Sequence, residues 1–343
     1  MKILQIIDSL NVGGAERVYV DLSNLLFKNK VDVTCLVYKQ NGSLKELLYK
    51  DLPKLDLKRE NKYSLAFAYK LSKVFSKYNI LHVHLRHNYR YVKLICFFFN
   101  VKTNVVLHDH YGSIEIDKHI PSFFKSFLKT KYYIGVDRKL INWAIDKLEV
   151  KKDATFLLRN IVLKENIKAV KNRKGIVIVG NIKPIKNQLF AIQLLPFLNE
   201  NLTIIGNIHD KVYYDIMVKE VENLSLENRV FFLHNVVNAQ EKLSEFSYAL
   251  CTSKSESGPL ILAEYLAQSL PFVAYKTGGI SEVLEQELPE CFLHSFDIKL
   301  WVNQINKLSL KPNKRFEELF NKYFSSDDYV TECINIYQKI TNS

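Results

Sequence analysis

Several features that would quickly define a protein are missing from this sequence. No window approaches the roughly 18 uninterrupted apolar residues of a spanning helix, since even Leu94 to Val101 is flanked by Lys93 and Lys102. The five cysteines (Cys35, Cys96, Cys251, Cys291, Cys333) are odd in number, scattered and without CxxC spacing. They read as reduced core thiols, not as a disulfide framework. The GxGxxG fingerprint is absent, which disfavours a dinucleotide cofactor. Without a short-period repeat or a low-complexity tract, the solenoid classes drop out. The opening Met1 to Asp8 is too short and too soon acidic for a signal peptide, so it reads as a first buried strand and the protein is expected in the cytoplasm.

What is present is the composition of a globular protein. With 48% hydrophobic and 24% charged residues, disorder is excluded as the main state, and 343 residues suggest two domains. The net charge of +12 is uneven. Residues 1–170 hold 30 Lys and Arg against 16 Asp and Glu, whereas residues 171–343 hold 18 against 20. The resulting +14 and −2 point to an anionic partner for the first half: nucleic acid, membrane surface or ligand. Nucleic acid is not expected, because no RNA- or DNA-binding signature accompanies the charge.

Short apolar runs alternate with amphipathic stretches. Met1 to Ile7, Val31 to Val37, Ile80 to Leu85 and Asn104 to Leu107 read as strands, with helices over Ala15 to Phe27 and Ser64 to Phe75. The pattern restarts after the basic stretch Lys164 to Lys174, with strands at 175–180, 202–206, 230–233, 248–251 and 272–275. The β-α-β alternation predicts two doubly wound parallel sheets, divided near residue 165. Ligands of such sheets bind beyond the carboxyl ends of the strands, so facing sheets would bound a cleft.

The candidate site residues follow strands. After the first, Gly13 and Gly14 open a helix where backbone N–H groups and the helix dipole suit an anion such as phosphate. An ordinary strand-to-helix turn explains them equally well. In Ser253 to Glu264, Pro259 fits a first helical turn with Ser257 or Gly258 as cap. Glu256 then lies in the loop, while Glu264 lies inside the helix that Leu260 enters. Glu264 could accept bonds from a vicinal diol, and the free N–H groups at the helix start could hold a diphosphate. The bland alternative is an amphipathic helix with a solvated acid. Gly180 to Gln188 presents Lys183 and Lys186 ahead of another helix; in a dry setting a lysine can neutralise a leaving diphosphate without a metal.

His82 and His84 share one face of an extended strand, yet too few acids or cysteines stand at ligand spacing to complete a metal site, so none is expected. His108, ending its strand, is expected near the reacting centre, hydrogen-bonding a sugar hydroxyl or managing a proton. Residues 118–131 mix Phe123, Phe124 and Phe127 with lysines at helical spacing, as suits a helix lying on an anionic bilayer or one packed into the core.

Gly13-Gly14-Ala15-Glu16, with Glu256, seven intervening residues and Glu264, resembles the family 4 retaining glycosyltransferases over nearly the whole chain. Further landmarks in the same order are 80–84, 106–109, Arg159 to Ile161, Gly180 with Lys186 and Asn187, and Gly278 to Val283. The resemblance implies a GT-B fold: an acceptor-binding Rossmann-like domain over 1–165, a nucleotide-sugar-binding domain over 166–324, and a final helix, 325–343, returning to the first domain. It also implies sugar transfer from a nucleoside diphosphate donor, a UDP-sugar, to a glycan or lipid-linked acceptor in bacterial surface polysaccharide synthesis, with retained configuration and no metal or other cofactor. In this resemblance Glu264 holds the ribose, Glu256 the sugar hydroxyls, Lys186 the diphosphate, Gly14 the close backbone approach, and His108 the sugar near the reacting carbon. Asn181 stands where the family usually has arginine, with Lys183 as the nearby replacement, and His234 stands where glycine is usual. A nucleotide-sugar epimerase and a catalytically silent partner subunit are the rival readings.

Overall fold

The computed structural model describes residues 1–39, 42–59, 61, 63–114, 129–168, 170, 172–308 and 314–342. The chain forms two compact units, 1–161 with 326–343, and 162–325. The basic aromatic segment 118–131 lies outside the described residues except for Lys129, Thr130 and Lys131.

The first unit is a parallel sheet of seven strands: β1 (Lys2–Ile7), β2 (Asp32–Val37), β3 (Lys54–Leu55), β4 (Ile80–His84), β5 (Asn104–Asp109), β6 (Tyr132–Gly135) and β7 (Thr155–Leu157). Their order is β3-β2-β1-β4-β5-β6-β7, so the chain steps outward from β1 to one side and then returns to build the other. The helices α1 (Gly14–Lys28), α2 (Leu65–Phe75), α3 (Arg86–Phe98) and α4 (Arg138–Leu148) carry these crossovers. The central strands are buried on both faces; one face is apolar, and the other carries Gln5, His82, His84 and His108 toward the strand ends. Leu4, Ile6, Leu81, Val83 and Leu107 are accordingly fully buried with Phe75, Val92 and Leu140 from the helices.

The second unit repeats the plan with β8 (Ile176–Val179), β9 (Leu202–Ile205), β10 (Val230–Leu233), β11 (Tyr248–Cys251), β12 (Phe272–Tyr275) and β13 (Phe292–Leu293), ordered β10-β9-β8-β11-β12-β13. Its helices are α5 (Gln188–Leu194), α6 (Lys211–Asn223), α7 (Gln240–Leu243), α8 (Leu260–Ala267), α9 (Gly278–Glu287), α10 (Ile298–Lys307) and α11 (Lys314–Tyr323). Trp301 on α10 is fully buried with Phe190 and Leu250 in a core of its own.

The last helix, α12 (Ser326–Asn342), belongs to the first unit. Its Tyr337 hydroxyl accepts from Gln5 Nε2 of β1 at 3.0 Å and lies 2.6 Å from His82 Nδ1 of β4. A second tie comes from Asn104 Nδ2, which donates to the Ile340 carbonyl at 3.2 Å. The five cysteines are free and four of them are buried.

Candidate active site

In each unit the strand order reverses beside the first strand, between β1 and β4 and between β8 and β11, and open α/β sheets bind ligands at such switch points. In the second unit the loops following β8, β11 and β12 meet there. Asn187 takes a left-handed conformation (φ 53°) after the short turn Pro184–Lys186, and Thr252 Oγ1 donates to the carbonyls of Lys186 and Asn187 at 3.0 Å each. The Lys254 amide donates to the Ile185 carbonyl at 2.8 Å. These bonds hold the two loops together, so Lys186 and Glu256, 70 residues apart, form an ion pair. Their side chains are only 21% and 13% exposed. Burial alone would push the Lys186 ammonium down, but the Glu256 carboxylate beside it outweighs that and raises it, so it stays charged at neutral pH.

The Glu256 loop is pinned from the other side by the start of α9. The Glu256 amide donates to Thr277 Oγ1 at 3.1 Å, and the Gly279 amide to the Ser257 carbonyl at 2.8 Å. Gly278 has φ +79°, and a Cβ there would lie 2.8 Å from Pro259 Cδ and 2.9 Å from the Glu256 carbonyl oxygen. Only glycine fits. Pro259 itself is the N-cap of α8, with ψ 89°, so neither Ser257 nor Gly258 caps the helix and Pro259 is not in its first turn. The helix begins one residue later because the loop is held out by the α9 contacts; the first closing bond runs from the Leu262 amide to the Pro259 carbonyl at 3.1 Å. No side chain caps α8. Ser257, Pro259 and Leu260 are buried, and Glu264 lies half-buried in the second turn of the helix.

Asn181 does not take the place of a cationic side chain. Its carbonyl accepts from Gln188 Nε2 at 3.2 Å and its Oδ1 from the Asn207 amide at 3.4 Å, which joins the loops after β8 and β9. Lys183 immediately precedes the 184–186 turn and is half-buried. His234 Nδ1 lies 2.6 Å from the Gly206 carbonyl, so its ring closes over the end of β9.

In the first unit, Gly13 is the N-cap of α1 and Gly14 its first residue. No side chain makes the cap bond, but the Glu16 carboxylate folds back over Gly13, where a Cβ would meet its Oε2 at 2.3 Å. The protein's own carboxylate therefore shares the ground in which an anion was expected. His108 is fully buried inside β5, within a histidine cluster. His82 stacks on His84 with ring centroids 4.7 Å apart, and His84 on His110 at 5.3 Å.

Among the described residues, His82, His84 and His108 are the group with metal-ligand proximity, their donor atoms lying within 4.8 Å. Hydrogen bonds already engage most of these nitrogens. His84 Nε2 bonds Gln5 Oε1 at 2.8 Å and its Nδ1 lies 3.1 Å from His110 Nε2, while His82 Nε2 lies 3.0 Å from His108 Nδ1. With the Gln5 amide so oriented, Tyr337 O–H gives its proton to His82 Nδ1, His82 Nε2–H donates to His108 Nδ1, and His108 Nε2 carries the last hydrogen. That nitrogen is buried, with no partner among the described residues. Burial, reinforced by the neighbouring rings, lowers His84 and His108 well below the usual histidine range and His82 to about 3, while burial lowers His110 to about 4 against the Asp109 charge and a bond from Asn160. The cluster is neutral at pH 7.

Sequence reading did not single out the polar group at this unit's switch point. His87 Nε2 and Asn88 Nδ2 each lie 3.2 Å from Asp8 Oδ1, and Lys39 Nζ lies 3.8 Å from Oδ2. Burial would raise the Asp8 carboxyl, but bonds and charge from His87, with Asn88 and Lys39, lower it to about 2. Nearby, Arg86 Nη2 pairs with Asp109 Oδ2 at 2.7 Å, its guanidinium 4.0 Å above the Trp143 ring. Tyr133 O–H donates to the same oxygen at 2.7 Å. The position of these residues just after β1, β2 and β4 was the available signal.

Two doubly wound units, each with polar groups at its switch point and a last helix returning to the first, define a two-domain α/β protein of GT-B type. A family profile described as Glycosyl transferases group 1 matches residues 161–320, and one described as Glycosyltransferase Family 4 matches residues 12–149. The chain belongs to the family 4 glycosyltransferases. It is 25% identical to the capsular polysaccharide biosynthesis glycosyltransferase CapH of Staphylococcus aureus over 335 residues, 90% of each chain. It is 26% identical to the N-acetyl-alpha-D-glucosaminyl L-malate synthase of Bacillus anthracis over 250 residues, 65% of this chain and 64% of that relative. Among solved structures, HepE of Anabaena in complex with UDP and glucose superposes with a TM-score of 0.84 at 16% identity, covering 98% of both chains.

Proposed function

We propose that the protein is a retaining glycosyltransferase that moves a sugar from a UDP-sugar to a hydroxyl of a lipid-linked glycan in surface polysaccharide synthesis. The observation that carries this reading is the Lys186–Glu256 ion pair at the second unit's switch point, beside the uncapped start of α8. HepE, described with UDP and glucose, and CapH, a capsule enzyme, supply the donor and the pathway class by likeness.

In this reading the pair opens toward the donor. Lys186 turns to the diphosphate, and Glu256 accepts from sugar hydroxyls. The backbone N–H groups of Ser257, Gly258, Leu260 and their neighbours meet phosphate oxygens, and Glu264 accepts from the ribose diol. Lys183 adds charge where Asn181 has none. The leaving diphosphate gathers negative charge as its bond to the sugar lengthens, and preorganised donors there are worth roughly a hundredfold to a thousandfold in rate. The departing phosphate oxygen takes the acceptor proton as the hydroxyl attacks on the same face. A double displacement would require a carboxylate nucleophile about 5 Å from an acid partner. In the first unit, His108 Nε2–H gives an otherwise unmatched donor to a sugar hydroxyl, and Gly13 and Gly14 allow backbone to approach phosphate or acceptor. Residues 118–131 make peripheral contact with the inner face of the cytoplasmic membrane.

Incubation with a panel of nucleotide sugars, following UDP release with and without lipid-linked acceptor glycan, tests the reading. Acceptor-dependent release supports it. Donor turnover to an epimer without acceptor, or no turnover with any pair, overturns it.

A further inference from the structure

Two adjacent helices of the first unit leave an apolar face uncovered. Leu65 is 79% exposed, Phe97 78%, Tyr63 77% and Phe98 72%, with Tyr69 half-exposed between them. They stand where the start of α2 meets the end of α3. Leu65 and Tyr69 stand one turn apart on α2, Tyr69 meets Phe99 at the end of α3 edge-on at 5.7 Å, and Phe97 meets Phe98 at 5.6 Å. Single exposed apolar residues are ordinary, whereas a contiguous aromatic group on a soluble surface marks an interaction site.

The charge around the patch identifies its partner. Residues 61–108, which include both helices, contain eight Lys or Arg and not one Asp or Glu. Lys70, Lys73, Lys77 and Lys102 are exposed, and the Lys73 ammonium lies 5.1 Å above the Tyr69 ring. Protein interfaces are depleted in lysine at their cores. Acidic headgroups over a hydrocarbon boundary attract this combination instead, aromatic rings entering the interface while lysine stems lie along it.

We propose that the α2–α3 face, through Tyr63, Leu65, Tyr69, Phe97 and Phe98, docks the protein on an anionic lipid bilayer. The proposal deepens the reading of a lipid-linked acceptor, since it brings the first unit to the surface that holds such a molecule. It rests on residues other than those of the 118–131 segment.

Co-sedimentation of the full chain with vesicles tests it, using phosphatidylcholine alone and phosphatidylcholine mixed with phosphatidylglycerol. The wild type binds the mixed vesicles, and 1 M salt weakens that binding. Combined Leu65→Ser, Phe97→Ser and Phe98→Ser lowers the partition coefficient by at least about tenfold, since each large side chain withheld from the boundary forfeits a share of its transfer free energy. Lys70→Gln with Lys73→Gln and Lys77→Gln weakens binding to mixed vesicles only. All of these positions are exposed, so circular dichroism and UDP binding stay at wild-type values. Absence of wild-type binding overturns the proposal, as does binding that survives the triple serine variant or is lost only on replacing Phe123 and Phe127. A concentration-dependent dimer abolished by the serine variant also overturns it, because the face would then join two copies. UDP release from donor with a soluble short-chain acceptor, measured without vesicles, reports separately on the transferase reading.

Discussion

The two units share a strand order but solve the switch point with different chemistry. In the second, the loops after β8 and β11 are joined by the charged pair of Lys186 and Glu256. In the first, the ends of β1, β4 and β5 are joined by neutral imidazoles, the Gln5 amide and the Tyr337 hydroxyl, with the Asp8 and Arg86 charge pairs set around them. One topology therefore places polar groups at the same spot twice, and the loops decide whether the spot is ionic or neutral. In the proposed reading the ionic pair opens to a charged diphosphate, while the neutral network offers an uncharged hydroxyl the His108 N–H that has no partner among the described residues.

The sharpest way to break that comparison is to remove the charge. Lys186→Ala is expected to lower donor turnover by about a hundredfold to a thousandfold, as loss of a preorganised donor does elsewhere. An unchanged rate in a UDP-release assay would take Lys186 out of the mechanism. The exchange of Lys186→Glu with Glu256→Lys separates the two roles of the pair. It keeps the salt bridge and thermal stability near wild type, but leaves turnover as low as the alanine variant.

The buried charges of the first unit are expected to serve the fold. Asp109→Ala strands Arg86 between Trp143 and Tyr111, and an unpaired buried charge costs about 3–5 kcal/mol. Denaturant unfolding followed by Trp fluorescence reads the loss. UDP binding by the second unit is expected to persist under conditions where both units remain folded.

Next in size is the response to acid. Histidines that titrate lower in the folded chain than the ordinary 6.5 leave the unfolded chain holding more protons between the two values, so stability falls as pH drops through that window. For His82 and His110 the window runs from 6.5 down to about 3 and about 4, and each still-neutral ring costs about 1.4 kcal/mol per pH unit. Lys186 has the opposite sign. Its raised value adds stability that is complete below the ordinary 10.5 and is lost as pH rises through the higher value. Hydrogen exchange at pH 5 should therefore accelerate in β1, β4 and β5 before β8 and β11. Simultaneous loss would show that the histidine network does not set the acid limit.

Much of the architecture was legible because burial on both faces makes parallel strands continuous apolar runs. The reading of Met1 to Ile7 and Val230 to Leu233 as strands agrees with β1 and β10 to within a residue. The two-residue strands β3 and β13 are too short to carry a pattern, and β6 begins at Tyr132, directly after a basic polar stretch that hides its start. Loop positions after strands pointed to Lys186 and Glu256 individually. Partnerships across long separations were not legible: Asp8 with Asn88, 80 residues apart, and His82 with Tyr337, 255 apart, are set by strand order and by the returning helix. The cap, expected at Ser257 or Gly258 and found at Pro259, was misplaced by one or two residues for the same reason, since the contact from Gly278 that holds the loop out lies far along the chain.

That contact supplies the smallest expected effect and the cleanest test of whether the second unit's loops are locked by packing or by the ion pair. Gly278→Ala forces a Cβ against Pro259 and the Glu256 carbonyl at a positive φ, a strain of about 1–3 kcal/mol. Packing and the ion pair then make different claims. If packing locks the loop, Glu256 shifts, the pair with Lys186 loosens, and KM for the donor rises several-fold while thermal stability falls by a few degrees. If the ion pair locks it, strain appears in stability alone and KM is unchanged. The first outcome is expected, because the Gly279–Ser257 and Glu256–Thr277 bonds fix the backbone on which the carboxylate is mounted, whereas the ion pair fixes only the ends of two side chains.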